Sequence, residues 1–271
     1  MIETQYLNEI MAAAPVFLLI AARALAMIET APLLSSDAIP QVAKIALAGF
    51  AAFSAFPTAL SAGWNVSPFG MYFVLLLIGE AIVGIIIGFY LTLIFAAFST
   101  AGQFFSLQMG FGASETFDPL AQIENPLMGQ YLNLVAMLVF LSIGGFRELF
   151  LGGFWASIRS ISAMSLVTGR EAVVQMLLSG LSRLFLDAII ISMPILGTLF
   201  LVSLSTGLIS KAAPQINILT EGFPISITVA FVLIMATMPF MVEAFARVVD
   251  AGFQNIEALY GRIGVRIGGG S

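Results

Sequence analysis

The chain has 271 residues, 60% of them hydrophobic and only 9% charged, with a formal net charge of −5 and a mean hydropathy of +1.05. A soluble domain carries about 25% charged residues, so this composition excludes a fold that covers its own surface with charge, and it excludes disorder equally. Cysteine and histidine are absent, which removes disulfides, the usual zinc and haem ligands, imidazole relays and every Ser-His or Cys-His nucleophile.

The ten basic residues form no cluster interleaved with aromatics, so nothing is prepared to neutralise a phosphate backbone and nucleic acid is not an expected partner. No catalysis, cofactor or metal is expected either, because no nucleophile–base pair or ligand set can be assembled. The opening Met1-Ile2-Glu3-Thr4-Gln5 lacks the positive region of a secretory signal, so the first apolar segment is expected to be retained.

Six apolar stretches follow, at about 10–28, 42–60, 69–98, 127–146, 172–210 and 222–249. They are too long and too uniform for the alternating ~10-residue segments of a membrane barrel, so all six are predicted to be helices. The fold class is therefore all-α membrane protein. The first and second are joined by Thr30-Ala31-Pro32-Leu33-Leu34-Ser35-Ser36-Asp37 and the second and third by Ser61-Ala62-Gly63-Trp64-Asn65-Val66-Ser67-Pro68, links short enough to make antiparallel neighbours.

The third stretch would extend about 45 Å against a hydrocarbon core of about 30 Å, so it must tilt, bend or continue outside lipid. It carries Glu80, with Gly84 and Gly88 at i+4 and i+8. Glu80 has no partner nearby in sequence, and Gly84-Ile85-Ile86-Ile87-Gly88 is a GxxxG pattern that lets another backbone approach closely. A packing face against a neighbouring subunit is one reading; a lipid-facing coincidence is the other.

From Ser106 to Pro126 the apolar periodicity fails. Gln108, Met109, Gly110, Phe111 and Gly112, with Phe117, Asp118 and Pro119 after them, alternate large apolar groups with glycines. Such a loop can plug a conduit and yield, as a hydrophobic constriction would, or it is a re-entrant or surface loop. Beyond the fourth stretch, Phe150, Phe154, Ile158 and Ile161 recur at helical spacing, so residues 147–171 either extend that helix or lie at an interface.

The fifth stretch, about 58 Å long as a helix, carries Pro194 and Gly197 at its middle, where a kink is predicted. Arg183 and Asp187 stand four apart within it, and Glu243 and Arg247 repeat that spacing at the end of the sixth, with Asp250 three further on. A charge at the centre of a spanning helix costs about 2.5–3.5 kcal/mol, so these are either helix-stabilising pairs at subunit contacts or the coupling sites of an ion or proton transporter. Gly268-Gly269-Gly270-Ser271 reads as a linker remnant outside the fold.

Leu107-Gln108-Met109-Gly110-Phe111 leading to Phe117-Asp118-Pro119 resembles the FliR family of flagellar type III secretion export-gate subunits, which has an LQMG-type turn followed shortly by Asp-Pro. Three further stretches fit that family: Thr30-Ala31-Pro32-Leu33-Leu34 with Ile39-Pro40 and Lys44; Gly79-Glu80 with Gly84 and Gly88; and Ala213-Pro214-Gln215-Ile216-Asn217 with Gly222-Phe223-Pro224. Their order and spacing, from about residue 10 to 250, carry the likeness.

The resemblance implies one subunit closing a ring-like hetero-oligomeric gate with FliP and FliQ, near FlhB, through which unfolded flagellar proteins pass. Residues 1–171 would correspond to a FliP-like four-helix part with the channel loop at 106–126, and residues 172–267 to a FliQ-like hairpin with its tail. Met109 and its neighbours would plug the channel. Lys211, Pro214, Gln215, Asn217, Glu221, Gly222 and Pro224 would form a hairpin facing the cytoplasmic entrance, the opposite of what counting basic residues in the loops gives. A virulence-injectisome counterpart remains the rival within this mechanism, and a small-solute transporter the rival outside it.

Overall fold

The structure, a computed structural model, describes residues 2–64, 66, 70–110, 127–212 and 218–264. All regular elements among them are helical: α1 Ile2–Thr30, α2 Gln41–Ser61, α3 Met71–Met109, α4 Leu127–Ser142, α5 Gly145–Ser160, α6 Ala163–Thr168, α7 Arg170–Ala212 and α8 Ile218–Gly264. Five are long and apolar enough to cross a membrane, or six if α4 and α5 count as one broken span. The predicted helical class and the six apolar stretches are thus both present.

The boundaries differ from the sequence reading in three places. α3 continues past residue 98 to Met109, so Ser106–Met109, predicted as loop, are its last turn; nothing in Phe104-Phe105-Ser106-Leu107 breaks a helix until Gly110, whose φ of +91° ends it. α8 runs from Ile218 to Gly264, taking in Gly222 and Pro224 at one end and the charged residues 250–262 at the other. Apolar runs alone cannot reveal a helix whose polar turns are carried by tertiary contact. Residues 147–171 neither simply extend the fourth helix nor form one element. Gly144, at φ +74°, breaks the chain after α4, and α5 then has a π-helical middle, Leu149–Trp155.

Two compact units emerge. The first comprises Met1–Leu93, Gly144–Gly180 and Asp250–Ser271, and the second Ile94–Ile143 and Leu181–Val249. Helices α3, α7 and α8 are continuous through the junctions.

In the first unit α1 and α2 form an antiparallel pair, Phe17 meeting Phe56 edge-on at 6.3 Å and Glu29 meeting Lys44. α3 lies alongside α1 in the parallel sense, its Gly84 against Arg23 and its Gly88 against Met27 and Thr30. A Cβ at Gly84 would fall on the carbonyl oxygen of Arg23, and one at Gly88 on Thr30 Oγ1. The GxxxG face is therefore occupied by the chain's own α1, and the Thr92 hydroxyl seals it by donating to Thr30 O at 2.8 Å.

In the second unit Gly102 of α3 sets the approach of α4. A Cβ there would come within 2.5 Å of Met128 O. Phe95 packs edge-on against Phe140 and Phe245, at 5.4 and 5.3 Å, and Phe98 against Phe245 at 4.6 Å. Each such pair adds about 0.5–1.5 kcal/mol beyond its area, and Phe98, Phe140 and Phe245 are fully buried.

Candidate functional site

The buried polar centre of the first unit starts from a cost. Arg23 lies in the apolar run of α1 and Glu80 in that of α3, and both are inaccessible to solvent. Left alone, either charge would be expelled. They face each other because the glycines one and two turns along α3 bring α1 close enough. Arg23 Nε donates to Glu80 Oε2 at 2.7 Å, and Nη2 makes a second contact with the same oxygen.

The rest of the guanidinium is spent on the irregular segment. Nη1 donates to Ser157 Oγ at 2.9 Å, and Nη2 to Ile161 O at 2.8 Å. Glu80 Oε1 accepts from the backbone N–H of Ala163 at 2.9 Å. The pair therefore binds the two loose backbone groups where α5 ends in extended Ile161 and α6 begins at its Ser162 cap. Trp64 lies over the Arg23 guanidinium at 5.4 Å, a cation–π contact that desolvation strengthens. No buried side-chain polar atom among the described residues lacks a partner.

A second neutralised cation stands at the α1–α2 turn. Lys44 is 2% exposed, and its ammonium donates to Glu29 Oε2 at 3.1 Å and to Ser35 O at 3.2 Å. The charges within α2 and within the α3 run are thus satisfied inside the chain, leaving outward faces made of Val42, Ile45, Phe50 and Phe53 on α2 and of Leu75, Ile78 and Ile82 on α3.

The other residues singled out in the sequence are dispersed. Glu80, with no sequence-local partner, is the most completely bonded carboxylate described, whereas the two i,i+4 pairs are weak. Arg247 Nη1 reaches Glu243 Oε2 at 3.3 Å with both side chains exposed, and exposed pairs contribute about 0–1 kcal/mol. Arg183 and Asp187 share a face of α7 but are not among the ion pairs of the described residues.

Of the plug segment, Gln108 is half-buried and Met109 fully buried at the end of α3, followed by Gly110. Phe111, Gly112, Phe117, Asp118 and Pro119 lie outside the described residues. So do Pro214, Gln215 and Asn217 of the entrance hairpin; Lys211 is exposed near the end of α7, and Glu221, Gly222 and Pro224 fall in the first turns of α8. Sequence reasoning missed Arg23, Ser157 and Tyr260. The available signal was that Arg23 and Glu80 are lone opposite charges in otherwise apolar runs.

Chemically, this centre holds backbone in place. Among the described residues no group of three acidic, histidine or cysteine side chains converges to hold a metal.

Helices α7 and α8 have the opposite character. At 43 and 47 residues they would span about 64 and 70 Å, and many of their large apolar side chains are uncovered, among them Phe185, Phe200, Leu201, Phe231, Val232 and Met235. Several of their serine and threonine hydroxyls are satisfied within their own helix. Thr198, Ser205, Thr228 and Thr237 each donate to the carbonyl four residues back, at 2.8–2.9 Å, the internal satisfaction a lipid or dry protein surround demands.

Long apolar helices, charges neutralised within the chain and self-satisfied hydroxyls define a multi-pass helical membrane protein. The description "bacterial export proteins, family 1" matches residues 14–252. The flagellar biosynthetic protein FliR of Bacillus subtilis is 29% identical over 96% of this chain and 100% of its own length, and that of Escherichia coli K12 is 31% identical over 80% and 82%. A more distant relative, the Yop proteins translocation protein T of Yersinia pestis, is 28% identical over 59% of this chain and 62% of its own. The chain belongs to the FliR family of bacterial export proteins.

Proposed function

We propose that this chain is a subunit of the flagellar type III protein export gate in the bacterial inner membrane, where it forms part of the passage for unfolded flagellar proteins. The observation that carries this reading is the uncovered apolar surface of α7, whose exposed large apolar side chains run from Val174 to Ile209, about 53 Å along a helix against about 30 Å of hydrocarbon. Together with the family match along residues 14–252, it calls for sister subunits as the cover. FliP and FliQ are the neighbours this reading assigns, with FlhB at the cytoplasmic entrance, in a ring-like hetero-oligomer.

In that assembly residues 1–171 act as the FliP-like part and residues 172–267 as the FliQ-like hairpin. The 106–119 segment is the moving part, with Gln108, Met109, Gly110, Phe111, Gly112, Phe117, Asp118 and Pro119 closing the channel at rest. Arg183, Glu243 and Arg247, exposed, and Asp187, half-buried, are the charges on apolar helices that would meet subunits. No chemical step is assigned to the chain.

Deleting the gene tests the reading. The expected result is loss of flagellar filament and of hook-type subunits from the medium, with both restored by the intact gene. Normal flagella alongside lost effector secretion would instead favour the injectisome reading.

A further inference from the structure

The family match ends at residue 252, yet the C-terminal turns of α8 beyond it close the buried polar centre. The Tyr260 hydroxyl donates to Gly153 O at 2.6 Å, with the Ser157 hydroxyl beside it, and Tyr260 is only 5% exposed. That acceptor lies in the π-helical segment Leu149–Trp155. A wider helical turn displaces carbonyls from the regular ladder, and such bulges tend to sit where a helix has a task besides spanning. Ser157 donates in turn to Phe154 O at 2.6 Å and accepts from Arg23. Buried hydrogen bonds therefore join α8 to α5 at Gly153 and, one turn on at Ser157, α5 to α1 and through Arg23 to Glu80 on α3 and the first turn of α6.

Two further contacts fix the same region. Asn255 Nδ2 donates to Tyr90 Oη at 3.1 Å. At the start of α7, a Cβ on Gly169 would come within 2.8 Å of Ile263, and one on Gly180 within 2.8 Å of the Tyr90 ring. Both arms of the α7–α8 hairpin are thus rooted in the first unit, the α8 arm through Tyr260 and Asn255.

We infer that Tyr260 is a positioning residue, whose hydroxyl on the π-helical Gly153 carbonyl fixes the C-terminal turns of α8 against α5, and that export depends on this fixation. Removing the hydroxyl takes away the α8–α5 hydrogen bond while keeping the ring's packing, and the Gly153 carbonyl retains the Ala156 N–H, so the root should loosen without the chain unfolding. This inference rests on the export-gate reading only for its functional consequence.

The test uses the cysteine-free full chain in its detergent-extracted assembly. Nitroxides are placed at L151C on α5 and G261C on α8, both exposed and both in the first unit, and the distance distribution is read by pulsed electron resonance. The unsubstituted tyrosine should give one narrow distribution; Y260F should broaden it at least about twofold, and S157A should move it in the same direction. Secretion of flagellar subunits should fall severalfold in Y260F while the amount of chain recovered in the complex stays the same.

An unchanged distribution in Y260F overturns the inference, as does a loss of secretion that merely follows loss of assembled chain. A broadened distribution with normal secretion would leave the anchor standing and remove its link to export. If Y260F is not recovered, N255A with the same labels decides between the same outcomes.

Discussion

Arg23 and Glu80 show how a charge pair in an apolar protein becomes structural. Each alone is intolerable in its helix, and together they consume the broken backbone at Ile161 and Ala163. Removing one partner of a buried pair costs about 3–5 kcal/mol, whereas replacing both by apolar groups of similar volume is often neutral. Arg23→Met alone should therefore lower the detergent-state unfolding temperature sharply, and adding Glu80→Leu should recover part of that loss, although Ile161 O is orphaned in both variants and Ala163 N in the double one. Equal unfolding temperatures for Arg23→Met and the parent would contradict the account. The sequence exposed the problem, a lone Glu80 in an apolar run, but its solution lies 57 residues away. No local pattern could show that the tempting i,i+4 pairs are the weaker ones.

At the scale of elements, Gly84 and Gly88 act on the chain's own α1. A leucine at Gly84 would drive its side chain into the α1 backbone at Arg23 and Met27, separating the helices and breaking the ion pair with them. Gly84→Leu should thus leave little folded chain even before any partner is met, whereas Ile85→Leu, on the exposed side of the same turn, should be tolerated. If the glycine served an external neighbour instead, the Gly84→Leu chain would accumulate normally and fail only at assembly; quantifying chain in membranes separately from chain in the complex distinguishes the two.

Helix class was legible because hydropathy reports what lipid or a dry interior would accept. The π-helical stretch and the polar end of α8 were not, since both depend on bonds such as Tyr260 to Gly153 that join residues 107 apart. The same blindness placed Ser106–Met109 in a loop, because glycine and glutamine mark an end without saying on which side of them it falls.

For the whole molecule, the contrast between its parts matters most. The charges of α2 and α3 are neutralised internally, and the α1–α3 contacts are as close as backbones allow. The hairpin has little of this. Residues 188–210 and 222–242 carry no Asp, Glu, Lys or Arg, each stretch long enough as a helix to cross about 30 Å of hydrocarbon, while Arg170, Glu171, Arg183, Asp187 and Lys211 occupy the rest of α7 and Glu221, Glu243, Arg247, Asp250, Glu257 and Arg262 the rest of α8. A bilayer cannot hold both kinds of segment along one helix, so the charged ends lie outside the hydrocarbon, and in the proposed gate sister subunits meet them there. Over-long apolar stretches were visible in the sequence; which side chains remain uncovered was visible only after folding.

The most direct test is the mass of the intact assembly extracted in mild detergent, with loss of secretion on deletion as the functional control. The account predicts a particle much heavier than the 28.8 kDa chain, containing this chain together with other membrane subunits. Recovery of the chain as a stable 28.8 kDa monomer that supports transport on its own in a simple bilayer would contradict it.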